Sequence, residues 1–146
     1  VAESVEQAAL NQAIIDEFRA GNGRVTHPMV PDGIRLAVLT TTGARTGGRH
    51  TCVVAHHRID SNRVAVIASA FGAATHPDWY RNLVANPEAT LELPGSGELT
   101  VLAVTARTAL GAERDQLIAD MARESPIMAD FTKNEHREIP VVVLEY

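Results

Sequence analysis

One short stretch concentrates residue types that could do chemistry: Thr40-Thr41-Thr42-Gly43-Ala44-Arg45-Thr46-Gly47-Gly48-Arg49-His50. Glycine lets backbone N–H groups approach a ligand closely, and the planar guanidinium fork of arginine matches phosphate or carboxylate. The stretch is a candidate anion loop between two strands. A glycine-rich hairpin with solvated arginines accounts for the same composition. Two familiar phosphate loops are excluded, because neither G-x-x-x-x-G-K-[ST] nor G-x-G-x-x-G is present and no helix pattern follows.

Other chemistries find less support. His50, Cys52 and His56 share one face of a strand by its period of two, while His57 points to the other. Zinc draws four ligands from at least two elements, and the remaining candidates, His76 and His136, are distant in sequence. No metal is expected; Cys52 reads as buried and the histidines as half-exposed. There is no G-x-S-x-G elbow, and Ser69 precedes Ala70-Phe71-Gly72 with no base at a fixed offset. Cys52 lies mid-strand and lacks an electropositive setting unless Arg49 and His50 supply it. No pair of acids converges as a glycosidase would need. Trp79-Tyr80 is the remaining feature, readable as an anchor plugging a barrel end or as a wall beside a planar ligand, with Asn82 free to hydrogen-bond.

The elements that must position these residues follow from the whole chain. Its 146 residues, 45% apolar and 21% charged, read as one globular domain over 1–146. A net charge of −5 argues against a nucleic-acid partner. The single cysteine excludes an internal disulfide and fits a reducing compartment. No segment approaches the roughly 20 apolar residues of a membrane span, and the acidic, polar first residues do not read as a signal peptide.

Residues 3–20 read as a helix, with Leu10, Ile14, Ile15 and Phe18 on one face and Gly21-Asn22-Gly23 as its stop. Strands are expected at 34–41, 50–58, 63–69, 88–93, 98–107 and 139–144. Asp60-Ser61-Asn62 and Pro94-Gly95-Ser96-Gly97 are turn signals. His76 to Pro87 reads as a short helix, and 109–123 as an amphipathic one with Leu110, Leu117, Ile118 and Met121 inward. A short helix or loop spans 126–134. The connections are too short for βαβ units, so the expectation is an α+β, mainly β fold: a six-stranded antiparallel sheet closed into a barrel with flanking helices.

Four segments carry a resemblance: Ile14-Ile15-Asp16-Glu17-Phe18-Arg19, Leu39 to Gly47, His76-Pro77-Asp78-Trp79-Tyr80-Arg81-Asn82-Leu83-Val84-Ala85-Asn86-Pro87, and Arg137-Glu138-Ile139-Pro140-Val141-Val142. In their order and spacing the chain, from about residue 11 on, resembles the deazaflavin-dependent nitroreductase family, a branch of the split β-barrel flavin-binding superfamily. The resemblance implies an oxidoreductase that binds coenzyme F-420, an 8-hydroxy-5-deazaflavin with a phosphate and a glutamate tail. The chemistry is the cofactor's: hydride passes from C5 of the reduced ring to an electron-poor quinone, enone or nitroaromatic.

By the same matching, Ala44, Arg45 and Thr46 would take the phosphate. Arg49, His50, Thr51, Cys52, Val53, Val54 and Ala55 would line the cofactor's path. Ile67, Ala68, Ser69 and Ala70 would run along the ring. Asp78, Trp79, Tyr80, Arg81 and Asn82 would form the adjoining wall. Tyr80, His76 or solvent would give the proton. The chain departs from the family pattern in three places. His50 follows Arg49 where a proline-arginine pair is common, Ala70 stands where a lysine is frequent, and Met128 and Phe131 replace substrate-facing tyrosines of some members. Those two apolar residues would favour a different acceptor. A non-redox protein of the same fold carrying a fatty acid, and an FMN-binding relative, are the competing readings. The resemblance also implies a homodimer. A cytoplasmic location is expected, with peripheral contact at the inner face of the membrane as an alternative, since quinones reside there; the acidic polar face of the first helix argues against that contact.

Overall fold

A computed structural model of the chain describes residues 5–69, 75–134 and 137–146. Six antiparallel strands, β1 (Leu36–Thr42), β2 (Arg49–Asp60), β3 (Arg63–Ile67), β4 (Glu88–Leu93), β5 (Thr100–Thr108) and β6 (Val141–Glu145), close into a barrel in the order β1-β2-β3-β6-β5-β4. Four helices surround it: α1 (Val5–Ala20), α2 (Asp78–Ala85), α3 (Gly111–Glu124) and α4 (Pro126–Asp130). Among the described residues, no helix is long and apolar enough to cross a membrane.

Side-chain alternation sorts the strands between the barrel interior and the helices. Ala37, Leu39, Val54, Val64, Val66, Leu91, Val142 and Leu144 fill the interior. The opposite faces of β3 and β6, at Ala65, Val141 and Val143, pack beneath Leu117 and Met121 of α3. These two strands are therefore buried on both sides, which is why they read as unbroken apolar runs. Leu36 and Val38 on the outer face of β1 pack under Ile14, Ile15 and Phe18 of α1. The helix stops where Asn22 (φ 52°) and Gly23 (φ 87°) turn left-handed, and the Gly23 N–H bonds to the Phe18 carbonyl at 2.8 Å. A Cβ at Gly23 would lie 2.3 Å from Pro94 Cγ, so glycine is required by contact as well as by conformation.

The barrel is split along β2. Its residues up to Ala55 pair with β1, but pairing with β3 begins only at His56. The edge left open is met by a side chain. Asn11 of α1 accepts from Val53 N–H at 3.2 Å and donates to the Thr51 carbonyl at 3.4 Å. One amide thus replaces a missing strand partner.

Two expectations need correcting. Leu110 does not face inward: it is 73% exposed and precedes α3, which begins at Gly111. The chain is held on the sheet through Ala109, whose N–H bonds to Val141, so the side chain one residue on faces solvent. His56 and His57 are not half-exposed but buried. His56 lies on the same face of β2 as the interior residues Cys52 and Val54, and burial there lowers its pKa to about 4. His57, on the other face, pairs through Nδ1 with Glu124 at the end of α3 (3.0 Å). Among the described residues no three metal-ligating side chains converge; His136 lies outside them.

Candidate functional site

Strand register gathers one mouth of the barrel from the end of β1, the start of β2, the start of β4 and the junction of Ile67, Thr108 and Val141. The glycine loop, the start of α2 and Ser69 all adjoin this mouth.

The loop is fastened by neutral groups. Gly43 N–H donates to the Gly48 carbonyl at 2.7 Å, and Gly47 N–H donates back to Gly43 at 3.1 Å. Asn82, buried on α2, accepts from Ala44 N–H at 3.0 Å and donates to the Thr41 hydroxyl at 3.0 Å. Asn86 donates to the Thr42 carbonyl at 3.4 Å. The His50 ring lies against Gly43, where a Cβ would come within 2.9 Å of Nε2 and 3.1 Å of the Thr46 hydroxyl. Arg45 is exposed and pairs with no carboxylate among the described residues. An exposed guanidinium in a loop whose Gly47 takes the left-handed region (φ 72°) has the chemistry to hold an anion such as a phosphate.

The far end of α2 is built differently. Arg137 donates to the carbonyls of Ala68 (3.1 Å) and Ser69 (3.0 Å) and lies 2.8 Å from His76 Nδ1. A guanidinium only donates, so Nδ1 accepts and the ring proton sits on Nε2. Burial, then the positive charges of Arg137 and Arg81, hold the His76 pKa below its ordinary value. His76 is therefore a neutral donor at Nε2 rather than an imidazolium. Its ring meets Tyr80 edge-on, with centroids 5.0 Å apart, and the Tyr80 hydroxyl is 2.9 Å from that of Thr108. Ala68 N–H is committed to the Pro140 carbonyl at 3.0 Å. The backbone of Ala68 and Ser69 is thus positioned by Arg137 and Pro140.

The residues expected to line the cofactor's path alternate. Cys52 and Val54 face the interior; His50, opposite Thr41, shares their face of the strand but is exposed. Arg49 faces outward and reaches across β1 to the Thr90 hydroxyl at 3.1 Å. Thr51 and Val53 meet α1, and Ala55 packs with the cluster under α3. Trp79 packs against the interior cluster as an anchor, its ring edge-on to Tyr80. Asp78 and Arg81 pair with each other on the exposed face of α2 at 3.3 Å. Met128 is buried beneath α3, and Phe131 is half-buried against the same cluster. Ala70 lies outside the described residues. Arg137 and Thr108 were given no role in the sequence reading. The signal for Arg137 was its place at the head of the Arg137-Glu138-Ile139-Pro140-Val141-Val142 segment that carries the resemblance.

A six-stranded split barrel with a glycine-rich loop at its mouth is an architecture this chain shares with F420-dependent reductases. The family follows from sequence: a model of the F420H(2)-dependent quinone reductase family matches residues 11–146, and the chain belongs to that family. It is an oxidoreductase whose cofactor is coenzyme F-420. The F420H(2)-dependent quinone reductase Rv1261c of Mycobacterium tuberculosis is 30% identical over 141 residues, spanning 96% of this chain and 90% of its own. Among solved structures, an F420-H2 dependent reductase (FDR-A) is similar with a TM-score of 0.63 and 30% identity, over 75% of this chain and 93% of that one. A second, solved as a domain-swapped dimer, gives a TM-score of 0.65 and 26% identity over 96% of this chain and 99% of that one.

Proposed function

We propose that this reductase acts on quinones at the barrel mouth, with α2 as the wall common to cofactor and acceptor. The observation that carries the reading is that α2 fastens the glycine loop through Asn82 and reaches Thr108 through Tyr80, where His76 and Arg137 adjoin. Arg45, Thr46 and the backbone of the loop bind the phosphate, and Ile67 to Ser69 flank the ring. When bound and reduced, the coenzyme supplies a hydride from C5. The chain orients the quinone against that carbon and excludes water, and its donors stabilise negative charge on the quinone oxygen. His76 Nε2–H and the Tyr80 hydroxyl are the candidate donors, and the hydroquinone leaves with one hydride and one proton added. The protein works in the cytoplasm as a homodimer, a reading supported by the dimeric relative.

The test is anaerobic mixing of the reduced coenzyme and protein with menadione. One equivalent of coenzyme should be oxidised per hydroquinone formed. A protein that binds the reduced coenzyme and passes hydride to nitroaromatics but to no quinone would overturn the acceptor assignment.

A further inference from the structure

Tyr80 is held from three sides. Its ring makes edge-on contacts with His76 (centroids 5.0 Å apart) and Trp79 (6.4 Å, 88° between planes), and its hydroxyl lies 2.9 Å from that of Thr108. Thr108 closes β5 opposite Val142, and the N–H of the next residue bonds to the Val141 carbonyl at 2.8 Å. Its backbone is therefore fixed at the barrel mouth. Among the described residues neither hydroxyl has another side-chain partner.

The pair lines a groove of about 220 Å³ between α2 and β5 whose other walls are mainly apolar: Leu83, Val84, Pro87, Ala106 and Val142. Arg107, the charged residue of the groove, is committed to Glu113 and Glu145. Thr108 is thus the side chain left there to stabilise charge on the Tyr80 oxygen. The two candidate donors at the mouth also differ as acids. His76 is neutral and its Nδ1 accepts from Arg137, so loss of its Nε2 proton would leave an imidazolate, an anion far harder to form than a phenolate. His76 can hydrogen-bond to an acceptor but is a poor source of a proton.

Whether Tyr80 can supply it depends on the direction of one hydrogen bond. Each hydroxyl carries a single proton. If Tyr80 donates within the pair, its proton points at β5. If Thr108 donates, the phenolic proton is free. We propose that Thr108 is a positioning residue for the proton step: it donates to the Tyr80 oxygen, frees the phenolic proton for the acceptor and stabilises the phenolate left behind. The inference rests on the acceptor reading above and selects Tyr80 as the proton source. Hydride addition leaves the quinone as a hydroquinone monoanion. The Tyr80 O–H bond breaks as the new hydroquinone O–H bond forms, and Tyr80 regains its proton from solvent.

The experiment is a double-mutant cycle on protein loaded with reduced coenzyme F-420, turning over menadione and, separately, a nitroaromatic. Thr108→Val keeps the side chain's shape and removes its hydroxyl. It should lower kcat about tenfold, as expected for one hydrogen bond to a charged oxygen, while quinone KM, coenzyme Kd and melting temperature hold. Thr108→Ser should recover most of the loss. Tyr80→Phe should lower kcat about hundredfold, and adding Thr108→Val to it should change nothing further. Should Thr108→Val fail to fold, Thr108→Ala carries the same test. An unchanged kcat, a loss that serine does not recover, a loss confined to KM or Kd, or one that persists in the Tyr80→Phe background would overturn the proposal. The same coupling on the nitroaromatic with no turnover of any quinone would support the role of Thr108 and count against the acceptor reading instead.

Discussion

At the glycine loop the charged group is left uncommitted, and neutral groups do the fastening. Asn82, Asn86 and the Gly43–Gly48 bonds fix the backbone, and Arg45 stays exposed. Around Ser69 the arrangement is inverted: the guanidinium of Arg137 is itself the fastener, spread over two carbonyls and His76. The two ends therefore treat a positive charge in different ways. On the proposed reading, the first keeps it for the cofactor's phosphate. The second uses it to fix the backbone and imidazole that a ring and acceptor would meet. Loss of an arginine should accordingly weaken binding at the first end and disorder the site at the second.

The largest effect is expected from Arg137→Ala. It removes three charge-assisted contacts at once, each typically worth about 1.5–3 kcal/mol and not additive. Turnover should fall about hundredfold or more, with a lowered melting temperature and only partial rescue by lysine, which lacks the planar fork. A change confined to cofactor Kd, with kcat intact, would make the two ends alike and break the comparison.

A smaller loss follows from Asn82→Ala. Ala44 N–H and the Thr41 hydroxyl each lose a partner, for about 1–2 kcal/mol of stability. Cofactor affinity should drop about tenfold as the loop loosens, with kcat little changed, as read from denaturant midpoints and a binding titration. If affinity is untouched, the loop does not need α2 to hold its shape.

The smallest effect concerns pH. The fold holds His76 neutral with its pKa below the ordinary 6.5. Its contribution to stability is therefore complete above pH 6.5 and is lost as pH falls through the depressed value. Protonation would turn the Nδ1 acceptor into a donor facing Arg137. Stability and kcat should both be flat from pH 8 down to 6.5 and decline below it, and His76→Asn should flatten the acid limb. Stability that instead rises as pH falls through 6.5 would mean that His76 is held as an imidazolium.

Much of this was legible in sequence because the signals were local. β3 and β6 announce themselves as continuous apolar runs. The turns at Asp60-Ser61-Asn62 and Pro94 to Gly97 carry their own chemistry, and the glycine loop and the helix that faces it lie in compact motifs. What escaped depends on distant partners. Arg137 acts on a carbonyl 68 residues away, and nothing near it in sequence marks that role. His56 and His57 are buried because the barrel closes on one and α3 covers the other, which no period of two can reveal. Leu110 fits a helical face, but the helix starts one residue later. The run from Arg49 to Ala55 was expected to line the cofactor's path as a unit. A strand cannot present adjacent side chains to the same side, so it divides into interior residues, outward residues and an edge capped by Asn11.

The central claim is that Arg45 at the glycine loop holds the cofactor's phosphate. The most direct measurement is the Kd of the deazaflavin chromophore with its polyol chain, with and without the terminal phosphate, for the unaltered chain and for Arg45→Ala, followed by Trp79 fluorescence and calorimetry. The account predicts that Arg45→Ala weakens the phosphorylated ligand about ten- to hundredfold, on the order of 1.4–2.8 kcal/mol, and leaves the unphosphorylated one unchanged. Equal weakening of both ligands, or of neither, would contradict it.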